Sequence, residues 1–170
     1  MKCFITGANG FIGFRLTERL SAEGHTIKCL VRSPQKFQEL SHLQGVSSVV
    51  GDLDDTEALA AGVSGCDTVF HMAAYAKPWS KDKTVPFRVN MQGTENILKA
   101  SQRAEVRRFI FTSSAAVIGP SPGKDPIDED YVRTIPFFND YEKTKSLAEK
   151  LVREYSQGGM ETVIVNPTRV

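Results

Sequence analysis

Three glycines at three-residue spacing constrain this chain most strongly, in segment 6–13, which reads Thr-Gly-Ala-Asn-Gly-Phe-Ile-Gly. The apolar run before it, residues 2–5, predicts a buried strand, and the apolar residues of 14–20 recur at helical spacing. A glycine-rich turn between a strand and a helix presents free amide groups and the positive end of the helix dipole to an anion. This context predicts the phosphate site of a bound dinucleotide.

Each glycine in this turn has a distinct expected task. Gly7 allows the tight turn, Gly10 lets the backbone approach a pyrophosphate, and Gly13 lets the helix lie close to the strand. The side chains beside them complete the predicted phosphate site, and they are Asn9, Phe11 and Ile12.

Strand-like and helix-like segments alternate along the rest of the chain. Further strands are predicted at 26–31, 46–50, 68–71, 108–112 and 162–165, and helices at 34–40, 56–63, 85–103 and 139–156. Residues 119–138 are rich in proline, glycine and aspartate and predict a long loop of the kind that carries function. The strands are apolar on both faces, as in a parallel sheet covered on both sides. We therefore predict an α/β Rossmann-type doubly wound parallel sheet, with strand order 3-2-1-4-5-6 and helices on both faces, as one dinucleotide-binding domain over 1–170.

Charge and cysteine content exclude several classes of function. With 21 basic and 20 acidic residues the net charge is +1, which leaves no electrostatic footprint for nucleic acid or an anionic membrane. No apolar run approaches the ~20 residues of a membrane helix, and residues 1–4 lead into the first strand rather than a signal peptide. Cys3, Cys29 and Cys66 are scattered, without disulfide or metal-ligand spacing. We expect no metal, and a cytoplasmic location.

The end of the second predicted strand bears on the choice of cofactor. A site for NAD needs an acidic residue there, to bond the 2′-hydroxyl of the ribose. This chain has Arg32 instead, with Lys36 one helical turn further on. A guanidinium pairs bidentately with a 2′-phosphate, which a carboxylate would repel. We therefore favour NADP(H) over NAD(H), which stays possible, and the alternative is that both cations are solvated loop charges.

Asp52 and Leu53 follow the third predicted strand. At the carboxyl end of a strand, Asp52 is placed to accept a hydrogen bond from an adenine amino group while Leu53 packs on the ring. A helix-capping role for the acid is equally compatible with its position.

Tyr141 and Lys145 are four residues apart in a strongly helical segment and so share one helix face. A tyrosine hydroxyl ordinarily ionises only near pH ~10, but a neighbouring ammonium stabilises the phenolate and makes tyrosine a usable proton donor or base. Ser114, just past the fifth predicted strand, is placed to hydrogen-bond a substrate oxygen near Tyr141. These three residues are the predicted catalytic set. Tyr141 and Lys145 are also predicted to contact the cofactor, since the same lysine can bond the nicotinamide ribose.

Taken together, these features resemble the extended short-chain dehydrogenase/reductase family, also called the NAD-dependent epimerase/dehydratase family, over essentially all 170 residues. The matching motifs are segment 6–13, Gly51-Asp52-Leu53, His71-Met72-Ala73-Ala74, Asn90 with Gly93-Thr94, Phe111-Thr112-Ser113-Ser114-Ala115, Tyr141 with Lys145, and Asn166-Pro167. The resemblance implies a catalytic triad of Ser114, Tyr141 and Lys145. It also implies that Ala73, Ala74, Thr112 and the Asn166-Pro167 turn border the nicotinamide and its ribose. Val31-Arg32-Ser33-Pro34 is similar to the dihydroflavonol-reductase and 3β-hydroxysteroid-dehydrogenase-like branches.

The activity implied by this resemblance is reduction of a carbonyl, or oxidation of an alcohol, on a small organic substrate. Sugar-nucleotide epimerases and dehydratases share the scaffold, and a non-catalytic dinucleotide-binding module is the contrasting alternative. Family members continue for well over a hundred residues past this point, so we expect a fragment or a short relative that lacks the substrate-binding domain. The family often forms homodimers through the helices predicted here at 85–103 and 139–156, whereas the plain alternative is that these helices only cover the sheet.

Two polar residues are expected to be structural. His71 ends a buried strand and has no partner acid at triad spacing. Asn90, in the long predicted helix, is expected to bond to backbone or to order water.

Overall fold

A computed structural model describes residues 1–168. Within them, six parallel strands form one sheet in the order β3-β2-β1-β4-β5-β6, which confirms the predicted topology. The strands are β1 (Lys2–Thr6), β2 (Thr26–Val31), β3 (Val46–Val50), β4 (Thr68–His71), β5 (Arg108–Thr112) and β6 (Glu161–Val165). From β1 the chain moves outward to β2 and β3, then crosses back to β4 on the other side of β1. In open α/β sheets this reversal opens a crevice at the carboxyl ends of the central strands.

Helices cover both faces of the sheet, and each face has its own apolar core. The helices are α1 (Phe11–Ala22), α2 (Thr56–Val63), α3 (Thr84–Phe87), α4 (Gly93–Arg103), α5 (Ala115–Ile118) and α6 (Asp140–Gln157). On β1, Phe4 belongs to one buried cluster, whereas Cys3 and Ile5 belong to the other. This alternation follows from the period of two of a strand, and it explains why the strands are apolar on both faces.

The predicted helix 85–103 forms as one uninterrupted helical run over residues 84–103, but it contains a widened turn that the sequence pattern did not indicate. The chain forms α3, then a wider π turn over Arg88–Gln92, then α4. Asn90 lies in this turn, and its side chain bonds outward to the backbone of Tyr75 and to Thr144 of α6. Helical spacing of apolar residues continues through the segment, so the pattern cannot reveal a turn that is widened by tertiary contacts.

Smaller differences concern the ends of elements. The predicted helix 34–40 is a single 3₁₀ turn over Pro34–Phe37, and Ala115–Ile118 forms a helical turn that the sequence pattern did not indicate. Helix α1 begins at Phe11, directly on the glycine turn, rather than at residue 14. Strand ends shift by one residue, as expected for boundaries defined by hydrogen bonds.

The apolar residues of α4 and α6 pack inward within this one chain. Ile97 and Leu98 of α4, and Ala148 and Val152 of α6, are buried in the core beneath them. This is the packing expected of helices that cover a sheet. The homodimer through these helices stays a prediction.

No helix among residues 1–168 combines the length and apolar character required to cross a bilayer. The three cysteines are buried and free, and desolvation raises the pKa of Cys3 to about 11 and that of Cys29 to about 12. Buried thiols of this kind behave as small apolar residues. The cytoplasmic location stays a prediction.

Candidate functional site

A crevice of about 350 Å³ opens at the carboxyl ends of β1, β4 and β5. It is lined by Gly7, Gly10, Phe11, Ile12, Gly13, Met72, Ala74, Ala76, Thr112, Ser113, Ser114, Tyr141, Lys145, Pro167 and Thr168. The glycine turn therefore faces the predicted catalytic set across one space. A larger depression of about 540 Å³ lies between α2 and α4 and contains none of these groups.

The glycine turn is packed too closely for side chains at two of its three glycines. Gly7 has a φ of +77°, and a Cβ there would lie 2.6 Å from the amide nitrogen of Ala73. A Cβ on Gly13 would lie 2.1 Å from the carbonyl oxygen of Gly7. Gly10 has ordinary extended angles, and its amide donates to the Gly7 carbonyl at 2.9 Å. Gly7 thus makes the turn and Gly13 brings α1 against it.

The N-terminus of α1 lacks the groups that usually satisfy a helix start. Among the side chains of residues 1–168, none caps this helix at Gly10, and its first turn holds no acid. Helix N-termini with free amides favour anions. Phe11 and Ile12, at the start of this helix, are exposed on the crevice wall, with 72% and 37% of their surface accessible. The arrangement suits a phosphate group.

The 3₁₀ turn after β2 is joined to the glycine turn. The side-chain amide of Asn9 donates to the carbonyl oxygen of Lys36. Arg32 and Lys36 are both exposed on this side. The contact ties the backbone of Lys36 to the glycine turn, so the Asn9 side chain holds the two turns together. The contacts of Arg32 and Lys36 with a cofactor stay predictions.

Asp52 and Leu53 are engaged in the protein itself. Asp52 Oδ1 accepts hydrogen bonds from the amides of Asp54 at 2.8 Å and Asp55 at 3.2 Å. The helix cap is Asp55, which accepts from Ala58 at the start of α2. Leu53 is part of the core and only 8% exposed, so a base could contact only the small exposed part of its side chain. Their contacts with adenine stay predictions.

Tyr141 and Lys145 lie one helical turn apart on α6, and both reach the crevice. Lys145 Nζ donates to the carbonyl oxygen of Thr112 at 2.6 Å and lies 3.9 Å from the ring centre of Phe111. The residue is only 2% exposed, and this burial lowers the pKa of Lys145 to about 7 although Glu149 acts in the opposite direction. A lysine poised near neutrality beside a tyrosine suits acid–base chemistry.

His71 is locked as a neutral ring behind this site. The Thr94 hydroxyl donates to the Asn90 carbonyl, so its oxygen accepts a hydrogen bond from Nε2–H of His71. On the other side of the ring, the Thr6 hydroxyl donates a hydrogen bond to Nδ1 at 2.7 Å. Burial, together with the nearby Lys145, lowers the pKa of His71 to about 3. Both nitrogens are used within the protein, as expected of a structural histidine.

Ser114 lies at the junction of β5 and α5. Its Oγ accepts from the amide of Ala116 at 3.2 Å and so caps α5. Its carbonyl oxygen accepts from Nδ2 of Asn166 at 3.2 Å, and Nδ2 also donates to Glu149 Oε1 at 2.8 Å. The Asn166-Pro167 turn is thus tied to Ser114 and to α6.

Glu149 and Arg133 belong to this region although the sequence analysis did not identify them. Glu149 is buried four residues after Lys145, a spacing that continues the face of Tyr141 and Lys145, so helical periodicity alone was enough to find it. Arg133, in the long loop, is nearly buried against Glu142 of α6. Nothing in the loop sequence distinguishes it from a solvated charge.

A model of the NAD dependent epimerase/dehydratase family matches residues 3–170, nearly the whole chain. The chain belongs to this family. The resemblance found in the motifs is thereby confirmed. The family and its named relatives are enzymes that act as reductases, dehydrogenases or epimerases.

Curated relatives of this epimerase/dehydratase family match along almost the whole chain. A protein of Synechocystis sp., provisionally named dihydroflavonol 4-reductase, is 36% identical over 166 residues, covering 97% of this chain and 48% of the relative. The 3-beta-hydroxysteroid dehydrogenase of Mycolicibacterium neoaurum is 34% identical over 180 residues, covering 99% and 47%. The chain therefore spans about half the length of these relatives.

Solved structures in the family share the fold. The UDP-glucose 4-epimerase of Thermus thermophilus, crystallised in complex with NAD, superposes with a TM-score of 0.87 at 27% identity. The match covers 98% of this chain and 54% of the epimerase. The doubly wound sheet described above is thus the fold of a known epimerase.

Proposed function

We propose that this chain is the cofactor-binding and catalytic part of an NADP(H)-dependent oxidoreductase. Its reaction is the reduction of a carbonyl, or the reverse oxidation of an alcohol, on a small organic substrate. One observation carries the proposal: Tyr141, Lys145 and Ser114 line the same crevice as the uncapped glycine turn. The named dehydrogenase and reductase relatives support it.

A nicotinamide dinucleotide fits the residues that line the crevice. The uncapped start of α1 suits its pyrophosphate, and NAD is present in the epimerase structure with the same fold. Beside the nicotinamide and its ribose we place Ala73, Ala74, Thr112 and the Asn166-Pro167 turn. When bound, the nicotinamide would supply a hydride to the carbonyl carbon, or take one from the alcohol carbon, which leaves one proton to be transferred at the oxygen.

The protein's own groups would then manage the proton and the substrate oxygen. Tyr141 donates a proton to the oxygen of a carbonyl under reduction, or accepts one from an alcohol under oxidation. Lys145, while protonated, stabilises the phenolate that forms. Ser114 hydrogen-bonds the same oxygen and holds it near Tyr141. These roles require that Ser114, Tyr141 and Lys145 lie along the same crevice, as they do.

Replacing Tyr141 tests this chemistry. In Tyr141→Phe we expect turnover with NADPH across a panel of ketones and aldehydes to fall at least about 100-fold, because the proton donor is gone. The dissociation constant for NADPH should change by no more than about twofold, since the ring remains. Tyr155→Phe, on the same helix but away from the crevice, is the matched control. Retained turnover in Tyr141→Phe would contradict the proposal.

The preference for NADP(H) over NAD(H) forms part of the proposal. Arg32 and Lys36 are exposed where β2 ends and its following turn contacts the glycine turn. A guanidinium and an ammonium there favour a 2′-phosphate. The relatives support a nicotinamide dinucleotide as the cofactor but not the choice of NADP(H), since the epimerase structure holds NAD.

Reversing the charge of Arg32 tests this preference. The dissociation constants of NADPH and NADH, measured by fluorescence titration, should favour NADPH in the unaltered protein. Arg32→Asp should weaken NADPH at least about tenfold, or ~1.4 kcal/mol, and leave NADH nearly unchanged. Arg103→Asp, at the far end of α4 and exposed, provides the control. Tighter NADH binding by the unaltered protein would overturn the preference.

A sugar-nucleotide epimerase or dehydratase is the second candidate, favoured by the TM-score of 0.87 with UDP-glucose 4-epimerase. Such enzymes regenerate their cofactor in each cycle. Conversion of UDP-sugars without net oxidation of added cofactor would select this candidate over the reductase.

A further inference from the structure

Arg133 lies in the long loop between α5 and α6, yet its side chain is only 9% exposed. Its partner, the Glu142 carboxylate on the first turn of α6, is 10% exposed, and Arg133 Nη2 donates to it at 2.8 Å. The guanidinium lies 4.6 Å from the ring centre of Phe137 and 5.4 Å from that of Phe138. The rings and the loop thus withdraw this ion pair from water.

All three guanidinium nitrogens donate hydrogen bonds, and they reach three segments. Nη1 donates to the carbonyl oxygen of Ala116, in the turn that Ser114 caps, at 2.7 Å. Nε and Nη2 donate to the carbonyl oxygens of Ile135 and Pro136 at 3.0 and 2.8 Å. With the bond to Glu142, one side chain connects the Ser114 turn, the loop and the start of α6.

Glu142 spreads the connection through the first turn of α6. Its Oε2 also accepts from the amide of Phe138 at 3.1 Å, and its Oε1 accepts from Nδ2 of Asn139 at 3.2 Å. Asn139 in turn caps the helix by accepting from the Glu142 amide at 3.0 Å. This reciprocal cap fixes the helix start directly before Tyr141, which is the neighbour of Glu142 in sequence.

We propose that the Arg133–Glu142 ion pair is a positioning device that sets the Ser114 turn against the start of the Tyr141 helix. The proposal rests on the proposed function, in which both hydroxyls act on one substrate oxygen. Apart from the Arg133 contacts, much of this loop is exposed, Val132 included. A buried guanidinium with a planar set of donors holds several acceptors in one geometry, which a lysine ammonium does not.

The plain alternative is that the pair only stabilises the loop. Hydrogen exchange separates the two roles without a substrate. In Arg133→Met, amides of both 115–119 and 138–143 should exchange about tenfold faster, while those of the glycine turn stay unchanged. In Arg133→Lys, which keeps the charge opposite Glu142, protection should return in 138–143 but not in 115–119. Faster exchange confined to 131–137 would overturn the proposal.

Turnover provides the second readout. In Arg133→Met and Arg133→Lys, kcat should fall about 10- to 100-fold, because small displacements of positioned groups cost that much. The dissociation constant for NADPH should stay within about twofold, because the glycine turn is untouched. Arg19→Met, which removes an exposed arginine with its own acidic partner, is the matched control. A kcat within about twofold of the unaltered protein, or a parallel loss of NADPH affinity, would contradict the positioning role.

If Arg133→Met does not fold, Glu142→Gln provides a second test of the same ion pair. The amide retains the size and an acceptor oxygen, so the protein should fold, with a kcat loss of several-fold in the same direction. An unchanged kcat would count against the proposal. Failure of the proposed function appears instead as retained turnover in Tyr141→Phe, a result that leaves the exchange data on Arg133 intact.

Discussion

At the scale of single residues, Lys145 shows how burial prepares a group for chemistry. The ammonium is surrounded by a carbonyl, the Phe111 ring and the neutral His71, with Glu149 as its acidic neighbour. Desolvation outweighs the acid, so the pKa of Lys145 falls from its ordinary 10.5 to about 7. A side chain that is always charged in water thereby becomes one that exchanges a proton near neutral pH.

This lowered pKa predicts a dependence of stability on pH. Between pH 7 and 8 the unfolded chain keeps the Lys145 proton while the folded chain releases a growing share of it, so the free energy of unfolding rises with pH, by at most about 1.4 kcal/mol per unit. As pH approaches 9.0, the ordinary pKa of a thiol, the buried cysteines act in the opposite direction, because their pKa values are raised on folding. Urea unfolding of the cofactor-free protein at several pH values from 7 to 8 measures the slope.

Lys145→Met is the control for that slope. Its free energy of unfolding should vary little from pH 7 to 8, since the titrating group is absent. An equally steep rise in the variant would assign the effect to another group.

Other residues differ in how far the sequence predicted them. Tyr141 and Lys145 were found because a helix brings residues four apart onto one face. Arg133 was not, because its partners Ala116 and Glu142 are brought together only when the long loop folds back. Nearby residues in sequence follow a period, whereas contacts across a loop do not.

At the scale of elements, the β1–α1 turn is the most tightly determined part of the site. The Cβ that would clash on Gly13 meets backbone atoms of Gly7 and Ala8, which have little freedom to move. The turn must therefore keep its glycines to keep its shape. The sequence pattern predicted this turn because Gly7 and Gly13 each meet a local steric requirement.

Gly13→Ala should accordingly destabilise the fold by about 1–3 kcal/mol through overpacking. It should also weaken NADPH at least about tenfold, since the phosphate site is displaced. Gly123→Ala is the matched control, because a Cβ there meets nothing within 4 Å and its φ is not positive. Chemical unfolding and fluorescence titration measure both effects. A Gly13→Ala protein as stable as Gly123→Ala would show that the turn relaxes.

The helix between β4 and β5 was predicted less well. Its apolar periodicity indicated one helix, but Asn90 widens a turn by bonding to Tyr75 and Thr144. Periodicity reports which face is buried, and a single widened turn leaves that face almost unchanged. The helix itself was predicted, whereas the widened turn is a tertiary effect that local sequence does not encode.

At the scale of the whole molecule, the order of strands creates the crevice. Adjacent placement of β1, β4 and β5 brings together the glycine turn, Thr112 and Ser114. Helix α6 then adds Tyr141 and Lys145 from the side. Residues more than 130 positions apart in sequence therefore meet in one space.

Cofactor binding should stabilise the molecule as a unit. NADPH at 100 times its dissociation constant should raise the free energy of unfolding by about 2.7 kcal/mol, because only the folded chain has the crevice. Thermal unfolding of the protein with and without NADPH checks this expectation. A melting temperature that saturating NADPH leaves unchanged would contradict it.

The sequence by itself predicted the sheet order, from the alternation of strands and helices. It also determined the glycine turn and the common helix face of Tyr141 and Lys145, because turn sterics and helical spacing are local properties. Only the tertiary structure decided the pKa of Lys145, the neutral state of His71 and the contacts of Arg133. Those depend on desolvation and on contacts between distant segments. Such properties exist only when the surrounding side chains exclude water.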